Sequence, residues 1–422
     1  MSHHCTDDQG SVRDGNLSEM AAAAPGAVAI VATLDTKGPE ASFLSDIIQA
    51  CGRKTVLIDI GTSNSDVRAA KATDASGARS ASPAELLKQI AATTRKKVTE
   101  LLVSGAISAI IAVGGGKGSA VFGEIVSELP YGFPKLLVTS ARPALLAELA
   151  IHNDVILYPT LVDLFGINAF TARVLENAGR AIAAMHYVPA KYRRERRIVA
   201  ITAFGVTTPA ANQCVVRLAE AGVDAIVFPA NGAGGRKMEQ LIAAGEFDAV
   251  LDLTTTELAD ELMGGTASAG PDRLKAASRQ SIPQVIAPGA VDMVNFGPPS
   301  SVPEQFRGRH FYSHTPYTTL MRTTPAENAN IGRLTAERLS QAHGPAIVLW
   351  PTKGVSDYDR EGGVFRDADA DMAWLNAVKD NLHAEIAVRE LNFHINDPEF
   401  AEAAVSWLLK QLGQGGSSGA DV

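Results

Sequence analysis

The stretch Ala27-Val-Ala-Ile-Val-Ala-Thr-Leu34, running straight into Asp35-Thr-Lys-Gly38, decides the fold class. A short apolar run rich in Val and Ile fits a strand buried on both faces, and the polar turn that ends it leads into an amphipathic stretch, Glu40 to Cys51. The alternation then repeats. Strands are expected at Val28 to Leu34, Thr55 to Ile60, Ala109 to Val113, Lys135 to Thr139 and Val155 to Tyr158, with helices at Glu40 to Cys51, Ser82 to Ser104 and Leu161 to Met185. Ser82-Pro83-Ala84-Glu85 supplies a capping residue with proline at the first helical position. Strands alternating with helices predict an α/β protein whose sheets are mostly parallel and flanked by helices.

The second half restarts the pattern, with strands expected at Ile198 to Ala203, Ala225 to Phe228, Ala249 to Leu253, Gln284 to Ala287, Ala346 to Trp350 and Glu385 to Leu391. The 422 residues exceed what one hydrophobic core usually serves, so two Rossmann-like domains are predicted. The boundary is placed at the basic run Lys191-Tyr-Arg-Arg-Glu-Arg-Arg197, read as a solvated linker or the positive end of a helix. This gives a flexible N-terminus over 1–26, domains over 27–190 and 197–412, and a flexible tail over 413–422.

Composition excludes several classes. Hydrophobic residues at 46% and charged residues at 20% describe a globular chain rather than a disordered or fibrous one. A net charge of -8 argues against a general nucleic-acid or anionic-membrane binder, because both need clustered positive charge. Apolar runs stop far short of the roughly 20 residues a membrane helix needs. Cys5, Cys51 and Cys214 have neither metal-ligand nor disulfide spacing, which points to a reducing compartment, the cytoplasm. Cys214 reads as a buried structural thiol.

In parallel sheets ligands gather beyond the carboxyl ends of the strands, so the residues after each strand carry the functional expectations. Asp35, Thr36 and Lys37 follow the first strand. Gly114, Gly115, Gly116, Lys117, Gly118 and Ser119 follow the third, where glycine lets backbone N–H groups approach a phosphate and a helix N-terminus adds its dipole. The spacing matches neither Walker A nor G-x-G-x-x-G, and a tight turn that needs glycine for sterics alone is an equal reading. A second glycine loop, Asn231-Gly-Ala-Gly-Gly-Arg-Lys237, offers Gly232, Gly234 and Gly235 for another anion. Asp252-Leu-Thr-Thr-Thr-Glu-Leu-Ala-Asp260 packs carboxylates and hydroxyls into one loop and helix start, and three hydroxyls exceed what capping needs. Asp292, His310, His314, Arg322 and Asp357 lie in further polar loop ends, and His394-Ile-Asn-Asp397 follows the last strand. Such a set suits proton transfer or a divalent metal, although no metal-binding spacing sharpens it. The G-x-S-x-G elbow of serine hydrolases is missing from the sequence.

From Ala27 to about Leu409 the chain resembles the Tm-one-like ATP-binding domain family. The matching strings are Ala32-Thr-Leu-Asp-Thr-Lys-Gly38, Thr202-Ala-Phe-Gly-Val-Thr-Thr-Pro209, Val250 to Asp260, Gly289-Ala-Val-Asp-Met-Val-Asn-Phe-Gly297, Thr319-Leu-Met-Arg-Thr-Thr324 and His394-Ile-Asn-Asp-Pro-Glu-Phe-Ala401. The resemblance implies two α/β domains, ATP binding and homodimers, and magnesium is expected alongside ATP. A plant relative inhibits viral replication proteins through a protein contact, and some relatives continue into a barrel resembling phosphoenolpyruvate-using enzymes, which implies a barrel-domain enzyme as partner. The chain departs from the family pattern at Gly115-Gly-Lys-Gly-Ser-Ala120, Ser140-Ala-Arg-Pro143, Pro229 and His314-Thr-Pro316.

Three functions follow as expectations. One is an ATP-binding enzyme with phosphates on Lys37 and the Gly114 to Ser119 loop. Another is an enzyme of small carboxylate metabolism, with Asp252, Glu257, Asp292, His314, Arg322 and Asp357 as catalytic candidates facing an interdomain cleft. The last is an interaction protein. Polar loop ends gathered on one sheet edge favour a ligand site, with a nucleotide or small anion as ligand and no membrane or nucleic-acid partner.

Overall fold

A computed structural model describes residues 26–61, 82–188 and 196–413 of the chain. The expectations for residues 1–25 and 414–422, and for the first part of the basic run, lie outside the described residues. The chain divides into two compact units, Met1–Lys191 and Tyr192–Val422.

In the first unit five parallel strands, β1 (Ala27–Ala32), β2 (Thr55–Asp59), β3 (Ile107–Gly114), β4 (Lys135–Thr139) and β5 (Ile156–Pro159), stand in the order β2-β1-β3-β4-β5. All six residues of β1 are buried because alternate side chains serve opposite faces. Val28 and Ile30 pack with Leu44 and Ile48 of helix Leu34–Ala50 and with helix Ala169–Ala184. Ala29 and Val31 pack with helices Pro83–Val103 and Gly116–Val126. A full capping box on Ser82 and Glu85 starts helix Pro83–Val103. The chain leaves β1 toward β2 and then returns to the other side with β3. Ligands collect at such a reversal, here between the ends of β1 and β3.

The second unit repeats this logic with six parallel strands: β6 (Ile198–Ala203), β7 (Asp224–Pro229), β8 (Ala249–Thr254), β9 (Gln284–Gly289), β13 (Ala346–Pro351) and β14 (Ala387–Leu391). Their order is β14-β13-β9-β8-β6-β7, so the reversal falls between β6 and β8. Val199, Ile201, Leu251 and Leu349 face helices Thr208–Glu220 and Pro398–Gln411, while Ile286, Val348 and Trp350 face Trp374 of helix Ala368–Asn381.

Two structural features differ from the sequence expectation. Between β9 and β13 the chain forms an antiparallel three-stranded sheet, β10 (Met293–Phe296), β11 (Phe311–Thr315) and β12 (Thr318–Arg322), in the order β10-β12-β11. His314 and Arg322 therefore sit on strands rather than loops. The helix expected over Leu161 to Met185 is helical only over Ala169–Ala184, capped by Asn168, because Leu161 and Gly166 adopt positive φ, 58° and 73°. No helix among the described residues is long and apolar enough to cross a membrane.

Candidate functional site

At the first unit's reversal, Gly115 precedes helix Gly116–Val126 without a side-chain cap, so among the described residues the first-turn amides of this helix carry no capping group. Gly116 and Lys117 are exposed, and a Cβ added at Gly116 or Gly118 would meet nothing within 4 Å. The turn is held from beneath by Ser119, whose buried Oγ donates to the Gly115 carbonyl at 2.9 Å and pairs with Thr139 Oγ1 at 2.7 Å. Ser119 thus shapes the loop.

Across the crevice, Asp35 and Thr36 are exposed at the start of helix Leu34–Ala50. Lys37 behaves differently: its Nζ donates to the Leu164 carbonyl and lies 3.9 Å from Glu40. Among the described residues that leaves Lys117 and Arg142, both exposed at this sheet edge, as cations available to a phosphate.

The second glycine loop already holds an anion, and it is the chain's own. Gly232 N and Gly235 N donate to Glu257 Oε1 at 2.7 and 3.2 Å, and a Cβ on Gly235 would stand 2.1 Å from Glu257 Oε2. The glycines let a buried carboxylate enter the loop, and it uses the Gly232 and Gly235 amides expected to face a cofactor, while Gly234 N donates to Asn231 Oδ1 at 3.0 Å. Gly235→Ala should lower stability by about 1–3 kcal/mol, the usual cost of forcing atoms into a packed interior; a thermal melt that matches wild type would contradict this close approach.

Glu257 Oε2 also accepts from Arg273 Nε at 2.5 Å. Arg273 is fully buried, forks onto Asp252 with Nη2 2.6 Å from Oδ1, and reaches Glu239 at 3.3 Å. Burial pushes Glu257 and Glu239 upward, with Arg273 opposing. Burial works against the Arg273 charge, yet Asp252, Glu257 and Glu239 hold its pKa well above the usual arginine value. The three neighbouring hydroxyls are likewise committed: Thr254 pairs with Thr207 at 2.7 Å, Thr255 donates to the Ala287 carbonyl and Thr256 to the Met293 carbonyl. Asp252 and Glu257 thus belong to an internal ion network at the second reversal.

Asp292 and Arg322 form a separate centre after β9. Asp292 is completely buried; its Oδ2 accepts from Ser356 Oγ at 2.8 Å, while Oδ1 has no donor among the described residues. Arg322 is 6% exposed and donates to the Phe365 carbonyl at 2.6 Å, Thr323 Oγ1 at 2.9 Å and Asp371 Oδ1 at 2.8 Å, so this guanidinium is saturated from within. Asp359 lies 3.7 Å from Arg322, and Arg366 Nη1 contacts Asp371 at 2.5 Å and Asp359 at 3.3 Å. Asp359 and Asp371 therefore share two guanidinium groups, and Asp292 feels the charge of Arg322 nearby. Burial, with Asp359 adding to it, pushes Asp292 up to about 7 and Asp371 up to about 8. Asp359 is raised as well, by burial. Such a cluster retains protons near neutral pH, the condition a general acid needs.

His314 and Asp357 lie around this centre rather than inside it. His314 Nδ1 meets the Tyr358 hydroxyl at 2.8 Å, and Asp357 pairs with Arg360 at 2.8 Å and Asn396 at 3.1 Å. Among the described residues no three His, Cys, Asp or Glu side chains are grouped to hold a metal ion.

Comparison with known proteins now adds identity. Residues 26–191 match the model of the uncharacterised protein family UPF0261 N-terminal domain, and residues 196–412 match its C-terminal domain. The chain belongs to the UPF0261 family. A UPF0261 protein of Clostridium tetani is 37% identical over 399 residues, covering 91% of this chain and 98% of that protein. One from Rhizobium meliloti is 38% identical, covering 89% and 97%. The tomato (Solanum lycopersicum) ToMV resistance protein Tm-1(GCR237) is 36% identical over 312 residues, which are 72% of this chain and 41% of the tomato protein. The family resemblance read from the sequence is thus confirmed. Among solved structures, Acinetobacter baumannii MurG aligns over 93% of both chains at 11% identity with a TM-score of 0.23, too low to support any argument.

Within this UPF0261 chain the sequence reading missed Arg273, Glu239, Asp359, Arg366 and Asp371. One signal was available: buried carboxylates after strands require cations, and Arg273 and Arg366 are arginines in polar loops. Arg273 meets acids 16 to 34 residues away, which spacing does not show, whereas Arg366 pairs with Asp359 and Asp371 only seven and five residues off.

Proposed function

We propose that this UPF0261 chain binds a nucleotide, ATP with magnesium, at the first unit's reversal, and that its second unit acts on a small anionic metabolite. The observation carrying the nucleotide reading is the uncapped, glycine-lined helix start at Gly115 to Gly118, open above and flanked by Lys117 and Arg142. The proton-holding carboxylates around Asp292 support the second part. Calorimetric titration with Mg-ATP should show binding by the wild type and at least about tenfold weaker binding by Lys117→Ala, about 1.4 kcal/mol. Absence of heat with any nucleotide, or equal affinity in the variant, would overturn the assignment.

A specific observation also favours a second copy of the chain as partner. Leu161, Phe165 and Phe170 are 95%, 87% and 69% exposed on one short segment of the first unit, and clustered exposed apolar side chains mark association surfaces. Static light scattering should give twice the 44.3 kDa chain mass, with Phe165→Asp shifting the protein toward monomer. A single-chain mass at every concentration would contradict the dimer.

A further inference from the structure

A cavity of about 560 Å³ opens between the loops that follow β13 and β14 and is bordered by Lys353, Arg360, Glu361, Arg366, His394 and Asp397. Thr352 and the exposed Glu361 complete the lining, whereas His394 and Asp397 are held by the loop itself. Asp397 Oδ2 accepts from the His394 amide at 2.8 Å, and the His394 ring is fixed by the Asn396 amide on Nδ1 at 3.2 Å and by the Ser356 carbonyl at Nε2, 2.9 Å away. Lys353 is exposed and forms no ion pair among the described residues. Arg360 is exposed and meets Asp357 through a single nitrogen, Nη2.

Arg366 is the distinctive member. Every side-chain hydrogen bond it makes among the described residues leaves through Nη1, to Asp359 and Asp371. Among the described residues its Nε and Nη2 have no partner, and the side chain is 29% exposed where it borders the cavity. One edge of the guanidinium thus serves the buried carboxylates, while the other presents the two parallel donors that grip an oxyanion bidentately.

We propose that this cavity binds a small oxyanion, a carboxylate or a phosphate group, on Arg366 Nε and Nη2 with Lys353 and Arg360 alongside, and that binding draws a proton onto the carboxylates behind Arg366. The proposal rests on the reading that the second unit acts on a small anion, and is independent of the nucleotide site. An anion on the outer edge of Arg366 offsets the charge that Asp359 and Asp371 depend on. Only Arg322 then remains as an uncompensated cation for Asp292, Asp359 and Asp371. Other charged or titratable groups near the cluster and cavity include Tyr358, whose hydroxyl burial raises, the His394 ring, Asp357 held by Arg360, and the exposed Glu361. The cluster already favours protonation, with Asp371 up to about 8, so added negative charge recruits a proton near neutral pH. A binding event that takes up a proton weakens as pH rises, by up to about tenfold per pH unit.

Calorimetry with sulfate and with malonate tests this, sulfate standing for phosphate-like groups and itself not titrating between about pH 7 and about pH 9. Binding of at least one anion is expected, with heats that vary with the ionisation enthalpy of the buffer as proton uptake requires, and an affinity at least tenfold lower at the higher pH. Lys353→Ala, a change at an exposed side chain, should weaken binding at least tenfold at either pH. Preference for sulfate marks a phosphorylated ligand and preference for malonate a carboxylate. If neither anion binds, the cavity assignment and the small-anion reading it rests on fail together; if Lys353→Ala binds as wild type does, the cavity assignment alone is overturned. Binding at Lys353 without buffer-dependent heat keeps the small-anion reading and overturns the proton coupling. The Mg-ATP titration reads a different unit and is decided separately.

Discussion

Replacing Arg273 with methionine is expected to cost about 3–5 kcal/mol of stability, the range for leaving a buried ionic group without its counter-charge. Arg273 is fully buried, and Asp252, Glu257 and Glu239 all lie within 3.3 Å of it. Methionine fills much of the volume and supplies no donor, so three carboxylates would remain in the interior with only backbone amides and one threonine hydroxyl to solvate them. The deficit should shrink in acid. Burial raises Glu257 and Glu239 in the folded chain, so the folded state binds more protons than the unfolded one above the ordinary carboxylate pKa. Stability is then fully present at low pH and is lost as pH rises through the folded values, more steeply once the guanidinium is gone. Denaturant melts at about pH 5 and about pH 8 read this directly. Combining the change with Asp252→Asn and Glu257→Gln should recover much of the loss. A single variant within about 1 kcal/mol of wild type at both pH values would contradict the network.

Asp292→Asn is expected to act in the opposite direction at alkaline pH. Asp292 is raised to about 7 and Asp371 to about 8, chiefly by burial, against an ordinary aspartate near 3.9 when unfolded. For carboxylates shifted this way the folded state gives up stability progressively as pH climbs from about 4 through about 8. Asparagine keeps the acceptor for Ser356 Oγ and removes a negative charge that helps to raise Asp371. Wild type should therefore lose several kcal/mol, on the order of 2–4, between about pH 5 and about pH 9 through this cluster, and the variant clearly less. Parallel pH profiles for the two proteins would show that the cluster does not hold its proton in the folded state.

Much of the fold was legible because β1 is a run of six small and branched apolar residues, a composition that only a doubly covered strand accommodates. The strands of both parallel sheets could be read for the same reason. Strand order was not legible, since nothing in Val28 to Ala32 says that both Thr55 to Asp59 and Ile107 to Ala112 will pair with it. The antiparallel sheet escaped notice because Met293–Phe296 and Thr318–Arg322 are four and five residues long and mostly buried, without the alternation that a half-exposed strand displays. The helix before the domain boundary was drawn too long because Phe165 and Ile167 extend the apolar spacing, whereas the backbone turns at Gly166 and begins its helix after Asn168.

The candidate site was legible as a set of positions and illegible as a set of partners. Parallel strands bring their carboxyl ends to one edge, which is why Asp252, Asp292 and the glycine loops were singled out. Which cation each acid meets depends on loops far away in sequence: Arg273 lies 21 residues from Asp252, and Arg322 is 49 residues from Asp371. The glycine loop at Asn231 to Lys237 shows the limit most clearly. Its glycines do cradle an anion, as their composition suggests, but the anion is Glu257 of the same chain.

Hydrogen–deuterium exchange in the presence and absence of Mg-ATP tests the central claim most directly, because it locates the nucleotide on the backbone. The uncapped amides of Gly116 to Gly118 should exchange markedly more slowly with nucleotide bound, along with those near Arg142, while the Glu257-filled loop around Gly232 to Gly235 stays unchanged. Saturating Mg-ATP that leaves the Gly114 to Ser119 segment unprotected, or that protects only segments of the second unit, would contradict the account.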